Sequence, residues 1–267
     1  MDPVILAVPE CNVAEVTICA PANVNELFEL PVRIGQINRT VLLIFLAAFI
    51  VMAVLYFAYR RPRLVPSKFQ TAVDALVAFI RDEVAVGIIG PEGIKYAPYL
   101  LALFLFLLVG NLFEITPLVN FPITSRIALP GFLALLTWVV FVVAGVRKQG
   151  LGYFGHLLWP PGVPTALKPL VGVIELVSVL LVRPFSLAVR LFANLVAGHV
   201  MLVLLLVSGV AFIAAIPEVG AKGLFGFAWF GLGLAIWVFE LLVTVLQAYI
   251  FTLLSAVYIQ TSLHPEH

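Results

Sequence analysis

Charged side chains are scarce in this 267-residue sequence. Asp, Glu, Lys and Arg make up 11% of it and hydrophobic residues 63%, whereas soluble domains carry roughly 25% charged residues. A soluble domain of this size must keep a polar surface, because its surface is large relative to its volume. Much of the chain therefore faces lipid, and the composition predicts a membrane protein.

The sequence also lacks the motifs of several functional classes. The net charge is only +1, and no basic tract or zinc-type spacing of Cys and His indicates nucleic-acid binding. The patterns HExxH, GxxxxGK[ST] and GxSxG are absent, which argues against zinc-protease, nucleotide and serine-hydrolase chemistry. We therefore expect no catalytic site and no cofactor in this chain.

Five apolar stretches are long enough to cross a membrane as helices. A helix needs about 20 apolar residues to span a hydrocarbon core of roughly 30 Å. The last two stretches exceed one upright crossing, since roughly 48 residues would form a helix of roughly 70 Å. We expect these two helices to be steeply tilted, the first kinked near Pro184, with a loop over residues 149–168 before them. The five stretches are residues 40–59, 96–117, 127–146, 169–216 and 223–260.

Residues 67–86 form a different kind of segment. Their apolar side chains recur at helical spacing, whereas Asp74, Arg81 and Asp82 lie at other angles. This pattern predicts an amphipathic helix on the cytoplasmic membrane surface, although a helix packed against other protein fits it too. The apolar positions are Phe69, Val73, Leu76, Val77, Ile80 and Val84.

Positive residues at the ends of the apolar stretches indicate one topology. Arg60, Arg61 and Arg63 follow the first stretch, and Arg147 and Lys148 follow the third. Because positive residues mark the cytoplasmic side, we expect the N-terminus outside and, after five crossings, the C-terminus in the cytoplasm. The fold predicted is an all-α membrane protein with about five transmembrane helices and one surface helix.

This topology divides the chain into three parts. The only cysteines, Cys11 and Cys19, lie in the first part. Outside the cytoplasm they could form a disulfide, and otherwise they are free thiols. The three parts are an extracytoplasmic N-terminal segment over residues 1–39, a single membrane domain over residues 40–260 and a cytoplasmic tail over residues 261–267.

Ionisable side chains within the last two apolar stretches are the candidates for function. An arginine at the centre of a transmembrane helix costs at least about 2.5–3.5 kcal/mol on insertion scales, so such groups face the bundle interior or a water-filled path. Arg190 stays protonated at any accessible pH, so it supplies a fixed charge but cannot relay protons. His199 and Glu240 can bind and release protons, and together they could form a proton path that approaches Arg190 without including it.

Helical spacing assigns these residues to faces. Arg190 and Asn194 are four residues apart and share a face, which Ser186 extends by one turn. His199 lies nine residues from Arg190, so on a straight helix it points to the opposite side. A polar stripe follows the last helix at Glu240, Thr244 and Gln247.

Each of these residues also has a structural interpretation. Arg183, next to Pro184, can snorkel to the interface or hold the kink, and a lone His199 would more often be structural. Arg190 could form a structural salt bridge, with Glu240 as one candidate partner. Glu114 and Glu175 could be carboxylates at the membrane interface. Asn111 and Gln247 could be amides that only hold helices together.

The run RPFSLAVRLFANLVAGH at residues 183–199 resembles the signature of subunit a of F-type ATP synthases. Three other runs resemble the same family: its final helix, the segment before its outer loop, and its surface helix. The resemblance covers nearly the whole chain from about residue 40. The three runs are residues 240–251, 110–117 and 66–83.

The resemblance implies that Arg190 faces the carboxylates of a rotating ring of c subunits. Two aqueous half-channels would bring protons to this ring from opposite sides of the membrane. The residues that the resemblance implies for the outer half-channel are His199, Glu240, Asn194, Gln247 and, toward its mouth, Glu114.

For the cytoplasmic half-channel the resemblance implies Glu175 and Ser178. Glu175 lies nine residues before Pro184, whereas the acid of several relatives lies eight before, so the match needs a one-residue shift. The partners implied are the c ring, b-type peripheral-stalk subunits, the rest of the F1F0 complex and the lipid bilayer. The implied ion is the proton, and the implied location is the bacterial plasma membrane.

Two other classes remain open from the sequence. A self-contained ion channel or secondary transporter is expected to show internal repeats with broken helices at matching positions, and the sequence shows neither. An intramembrane enzyme needs a nucleophile with a base or a metal cluster, yet His264 and His267 are terminal and His156 lies in the predicted loop. Co-purification with a small, very apolar ring protein would distinguish these classes.

Overall fold

The computed structural model describes residues 39–60, 66–116, 123–124, 126–150, 152–159, 164 and 167–264. Within these ranges the regular structure is helical, without strands. The predictions for residues 1–38, including the pairing of Cys11 with Cys19, lie outside the described residues, as does the end of the predicted tail at residues 265–267.

The helices reproduce the predicted fold class. Five stretches are long and apolar enough to cross a membrane, and the last two contain 47 and 44 residues, more than one upright crossing needs. This confirms an all-α membrane protein with five candidate spans, while the tilt of the last two stays a prediction. The helices are α1 Arg39–Tyr59, α2 Lys68–Ala78, α3 Ala97–Ile115, α4 Ala128–Gln149, α5 Gly152–Leu158, α6 Lys168–Val177, α7 Arg183–Ala214, α8 Ile216–Val219 and α9 Phe225–Leu263.

The predicted amphipathic helix is present as α2 and a π-helical continuation over Phe79–Ile89. The Ser67 hydroxyl caps its start by accepting the Gln70 backbone N–H at 3.2 Å. Three residues of the predicted apolar stripe, Val73, Ile80 and Val84, are buried. The apolar side of this helix therefore packs against the chain itself, and its position at the membrane surface stays a prediction.

The Gly- and Pro-rich segment after α4 contains a helix, so the loop predicted over residues 149–168 is in part wrong. Gly150 ends α4 with φ of 65°, a backbone conformation that residues other than glycine rarely adopt. After this sharp turn the seven-residue helix α5 begins at Gly152. Two glycines of the segment, Gly152 and Gly155, lie within α5, so the glycine content did not exclude a helix here.

The irregularity in the long fourth span is a π-helical turn over Ser178–Val182, which joins α6 to α7 and is called the π turn below. The backbone N–H of Arg183 donates to the carbonyl of Ser178, five residues back. Pro184 explains the position of this wide turn, because its ring clashes with the carbonyl four residues earlier and it has no N–H to donate. The turn accommodates one more residue than an α-helical turn, in the segment where the family resemblance needs a one-residue shift.

The chain divides into two compact units. The first contains the described parts of Met1–Leu46, Gly110–Ser125 and Ala193–Leu246. The second contains the described parts of Ala47–Val109, Arg126–Phe192 and Gln247–His267.

Close backbone approach holds α7 and α9 together in the first unit. A Cβ at Gly209 would lie 2.7 Å from the backbone nitrogen of Phe230, and one at Gly226 would lie 2.7 Å from that of Ile213. Small residues let transmembrane helices approach in this way. The Trp237 indole N–H also donates to the carbonyl of Ile115 at 3.2 Å, which links α9 to the end of α3.

Polar side chains link the helices of the second unit. The hydroxyl groups of Tyr99 on α3 and Thr137 on α4 are hydrogen-bonded at 2.8 Å. The Gln149 side-chain amide donates to the carbonyl of Ser262 at 2.9 Å, in the last turn of α9, where helix carbonyls lack intrahelical donors. The ends of α4 and α9 are therefore joined within this unit.

Candidate functional site

Arg190 lies in α7 in the second unit, and its side chain is exposed on the surface of the chain. Exposed apolar side chains precede it in the same membrane span: Val182 of the π turn is 53% exposed and Phe185 of α7 is 66% exposed. Among the described residues Arg190 forms no salt bridge, so the alternative of a structural pair within the chain finds no support there. Arg190 thus carries a permanent charge at an exposed position of a span whose exposed side chains are mostly apolar.

A buried acid–histidine cluster, formed by Glu114 on α3, His199 on α7 and Glu240 on α9, lies in the first unit. Their relative exposures are 1%, 3% and 5%. The Nδ1 atom of His199 lies 4.0 Å from a carboxylate oxygen of Glu114. This distance is too long for a direct hydrogen bond but suits electrostatic interaction or a bridging water.

Gly198 makes room for the third member of the cluster. The carboxyl group of Glu240 lies against the Gly198 backbone, where a Cβ would overlap it. Glu114 and Glu240 are also close enough to interact electrostatically. Two carboxyl groups and one imidazole, all side chains that can bind and release protons, thus converge from three helices.

Other buried polar side chains lie in the first unit together with those of the cluster. Buried polar groups are nearly always hydrogen-bonded, yet several buried side-chain atoms here form no hydrogen bond with any described residue. Such atoms can bind water or pass protons where an apolar interior cannot. They are both side-chain atoms of Asn111, both carboxylate oxygens of Glu114, Oε2 of Glu240 and Oγ1 of Thr124 and Thr244.

The other two residues predicted for the outer path, Asn194 and Gln247, lie outside the buried cluster. Asn194 is not buried, and Gln247 belongs to the second unit. Asn194, four residues after Arg190, is exposed on α7. Gln247 is 2% exposed, on α9 in the second unit, three residues after Thr244. The structure therefore groups Glu114, His199 and Glu240 in one buried cluster, and Asn194 shares with Arg190 an exposed position on α7.

Glu175 and Arg183 form an ion pair, with the Nη2 atom of Arg183 2.8 Å from a Glu175 carboxylate oxygen. Arg183 also donates to the Thr261 hydroxyl at 3.1 Å and lies over the Tyr258 ring, 5.4 Å from its centroid. Glu175 remains partly exposed, with 36% of its side chain accessible. Arg183 thus links α6 to the last turns of α9, and Ser178 begins the π turn between the two ion-paired residues.

Sequence reasoning did not select Gly198 or Trp138. Gly198 precedes His199 directly, and a glycine beside an ionisable residue in an apolar helix is a usable signal of close packing. The indole N–H of Trp138 on α4 donates to the carbonyl of Val179 in the π turn at 3.0 Å. No local pattern indicates that contact, because its partners are 41 residues apart.

Comparison with known proteins gives a consistent result over most of the chain. A sequence profile of the family described as ATP synthase A chain matches residues 41–260. ATP synthase subunit a of Frankia alni is 41% identical over 254 residues, which cover 91% of this chain and 86% of the relative. The corresponding protein of Pseudarthrobacter chlorophenolicus is 35% identical over 267 residues, 98% of each chain. That of a Parafrankia species is 40% identical over 224 residues, 83% of this chain and 74% of the relative.

Proposed function

We propose, on the premise that this chain belongs to the ATP synthase A chain family and is a proton-translocating F0 subunit, that Arg190 makes the carboxyl groups of a rotating c ring release their protons. The observation that carries the proposal is that Arg190 is exposed in α7, within a span whose exposed side chains are mostly apolar. A fixed positive charge in that position is unfavourable facing lipid and favourable facing an acid.

The chemistry follows from the cost of burying charge. A ring carboxylate must be neutral to pass through lipid, because an ionised carboxylate in an apolar environment is strongly disfavoured. Beside the Arg190 guanidinium the anion becomes stable, so the ring acid releases its proton there. The same permanent charge repels protons, so it prevents leakage between the two sides of the membrane without taking part in proton relay.

The outer half-channel is assigned to the buried acid–histidine cluster of Glu114, His199 and Glu240. Its members are titratable and buried within the chain, so together with water they can pass protons across part of the membrane. Asn194 and Gln247 are assigned as polar members of the same path, Asn194 at the exposed side of α7 near Arg190.

The cytoplasmic half-channel is assigned to Glu175 and Ser178. Glu175 is partly exposed, so it can meet water, and its ion pair with Arg183 holds it in one place. Protons that enter by one half-channel and leave by the other must travel on the ring. The membrane potential then supplies about 2.3 kcal/mol per proton for each 100 mV.

The proposal fixes the partners and the orientation. The chain acts as a stator against the c ring, is held by b-type peripheral-stalk subunits, and belongs to the F1F0 complex in a bacterial plasma membrane. The N-terminus is outside and the C-terminus cytoplasmic, in agreement with the positive residues Arg147 and Lys148 at the end of α4. The ion is the proton, and the chain itself has neither a catalytic site for ATP nor a cofactor.

A photocross-linking experiment tests whether the Arg190 face meets the ring. A photoreactive residue replaces Ala197, which is exposed on α7 and lies two turns after Arg190 on the same face. The control replaces Phe132, 60% exposed on α4. We expect illumination of the purified complex to join position 197, and not position 132, to a small, very apolar subunit. Cross-linking of that subunit at position 132 alone, or at neither position, would contradict the proposal.

A further inference from the structure

The hydrogen bond between Trp138 and the π turn compensates for a donor that the helix itself lacks. In an α-helix the carbonyl of Val179 accepts from residue 183, and in a π-helix it accepts from residue 184. The N–H of Arg183 goes instead to Ser178, and Pro184 has no N–H. Neither register therefore leaves a backbone donor for Val179.

Val179 is 2% exposed, so lipid or bulk water does not replace the missing donor. Unsatisfied buried carbonyl groups are rare because their desolvation is not repaid. The Trp138 indole N–H lies 3.0 Å from the Val179 carbonyl oxygen, and an indole can only donate. The π turn, Pro184 and Trp138 thus form one hydrogen-bonding unit within the second compact unit.

The π turn sets the angular position of Arg190 and of the other α7 residues that belong to the same compact unit. One extra residue in a helix rotates the following segment by about 100° and shifts it by about 1.5 Å relative to an uninterrupted α-helix. The ion pair of Glu175 with Arg183, eight residues on, fits this extra residue, because seven residues make about two α-helical turns. Arg190 lies a further seven residues along, on nearly the same face as Arg183.

We propose that Trp138 is a positioning residue for Arg190, because its indole N–H stabilises the π turn that directs Arg190 to the exposed face of α7. The functional half of this inference rests on the proposed role of Arg190. The structural part of the inference is that Trp138 of α4 stabilises the helical register of α7, and it does not depend on that role.

The test compares Trp138→Phe, Pro184→Ala and the double variant in the intact complex. Trp138→Phe keeps an aromatic ring but removes the donor, so we expect ATP-driven proton pumping to fall on the order of tenfold at unchanged subunit composition. Pro184→Ala restores a backbone N–H that the Val179 carbonyl can accept in the π register. We therefore expect the double variant to pump within about twofold of Pro184→Ala alone.

Trp237→Phe is the matched control. Trp237 also donates its indole N–H to a helix carbonyl, that of Ile115 at 3.2 Å, but it belongs to the other compact unit. Any loss of pumping in this variant should not be rescued by Pro184→Ala. Wild-type pumping in Trp138→Phe, or losses that simply add in the double variant, would overturn the positioning of Arg190 by Trp138.

A distance measurement separates the register of α7 from the role of Arg190. Spin labels replace Phe132 on α4 and Phe185 on α7, which are 60% and 66% exposed. We expect Trp138→Phe to shift or broaden the inter-label distance by on the order of 5 Å, and Pro184→Ala to reverse this. A shifted distance with normal pumping would refute the role of Arg190 and leave the anchor intact, whereas an unchanged distance would refute the anchor.

Discussion

The carboxyl group of Glu240 lies against the backbone of Gly198, one residue before His199. The acid of one helix is thereby brought beside the histidine of another in an interior where both are at most 5% exposed. Only the missing side chain of Gly198 permits this approach. The geometry of the proposed proton path therefore depends on a residue that has no chemistry of its own.

Gly198→Ala is expected to slow proton flow through the complex on the order of tenfold. The added methyl group would overlap the Glu240 carboxyl, and the strain of overpacking destabilises a core by about 1–3 kcal/mol. Passive proton conduction through the F0 sector and the melting temperature of the purified complex are the measurements.

Gly231→Ala is the control for this substitution. A Cβ at Gly231, on α9, meets no atom within 4 Å. Gly231→Ala should leave conduction unchanged and stabilise α9 by up to about 1 kcal/mol, because alanine has a higher helix propensity than glycine. Equal conduction in Gly198→Ala and Gly231→Ala would contradict the close approach of Glu240 to the helix backbone.

Glu240→Gln is expected to slow proton uptake several-fold without abolishing it. The amide keeps the size of the side chain but cannot bind and release protons at ordinary pH, while Glu114 and His199 remain. Passive proton conduction checks this, with the exposed Glu218→Gln as control. Unchanged flux in Glu240→Gln would assign Glu240 a structural role.

The ion pair between Glu92 and Lys148 is expected to make stability depend on pH at the predicted cytoplasmic side. A hydrogen bond from the Lys148 ammonium, at 3.1 Å, lowers the pKa of the Glu92 carboxyl from its ordinary 4.5. A carboxyl with a lowered pKa in the folded state stabilises the fold above the unfolded pKa. This stabilisation is lost as the pH falls below 4.5 through the folded pKa.

The melting temperature of Glu92→Gln relative to the native complex tests this dependence. We expect a small decrease at pH 7 that disappears below the folded pKa of Glu92 and shrinks in high salt, since exposed pairs are screened. Glu83→Gln serves as control, because Glu83 is exposed and forms no ion pair within the described part of the chain. The same decrease at acid pH would argue that the amide acts through packing.

The sequence was sufficient to predict features that depend on local composition. The five spans follow from apolar length alone, and Val73, Ile80 and Val84 of the surface segment follow from helical spacing and are buried. Arg190 and His199, nine positions apart, follow from the cost of placing ionisable groups in apolar helices. The structure buries His199 and exposes Arg190, as that spacing predicts.

Features that depend on distant partners could not be predicted. The π turn needs both Pro184, which is visible in the sequence, and the donor of Trp138, which only tertiary structure brings to Val179. The ion pair of Glu175 with Arg183 was missed because eight residues do not align on an unbroken α-helix. The proximity of Glu114 to His199 likewise joins two helices whose separation no spacing rule gives.

ATP-driven proton pumping by membrane vesicles that carry Arg190→Ala tests the central claim most directly. Without the fixed positive charge nothing stabilises the ionised form of the ring carboxyl group, so it keeps its proton. We therefore predict that pumping and ATP synthesis are abolished, while the complex retains its full set of subunits. Normal coupled pumping in this variant would contradict the account.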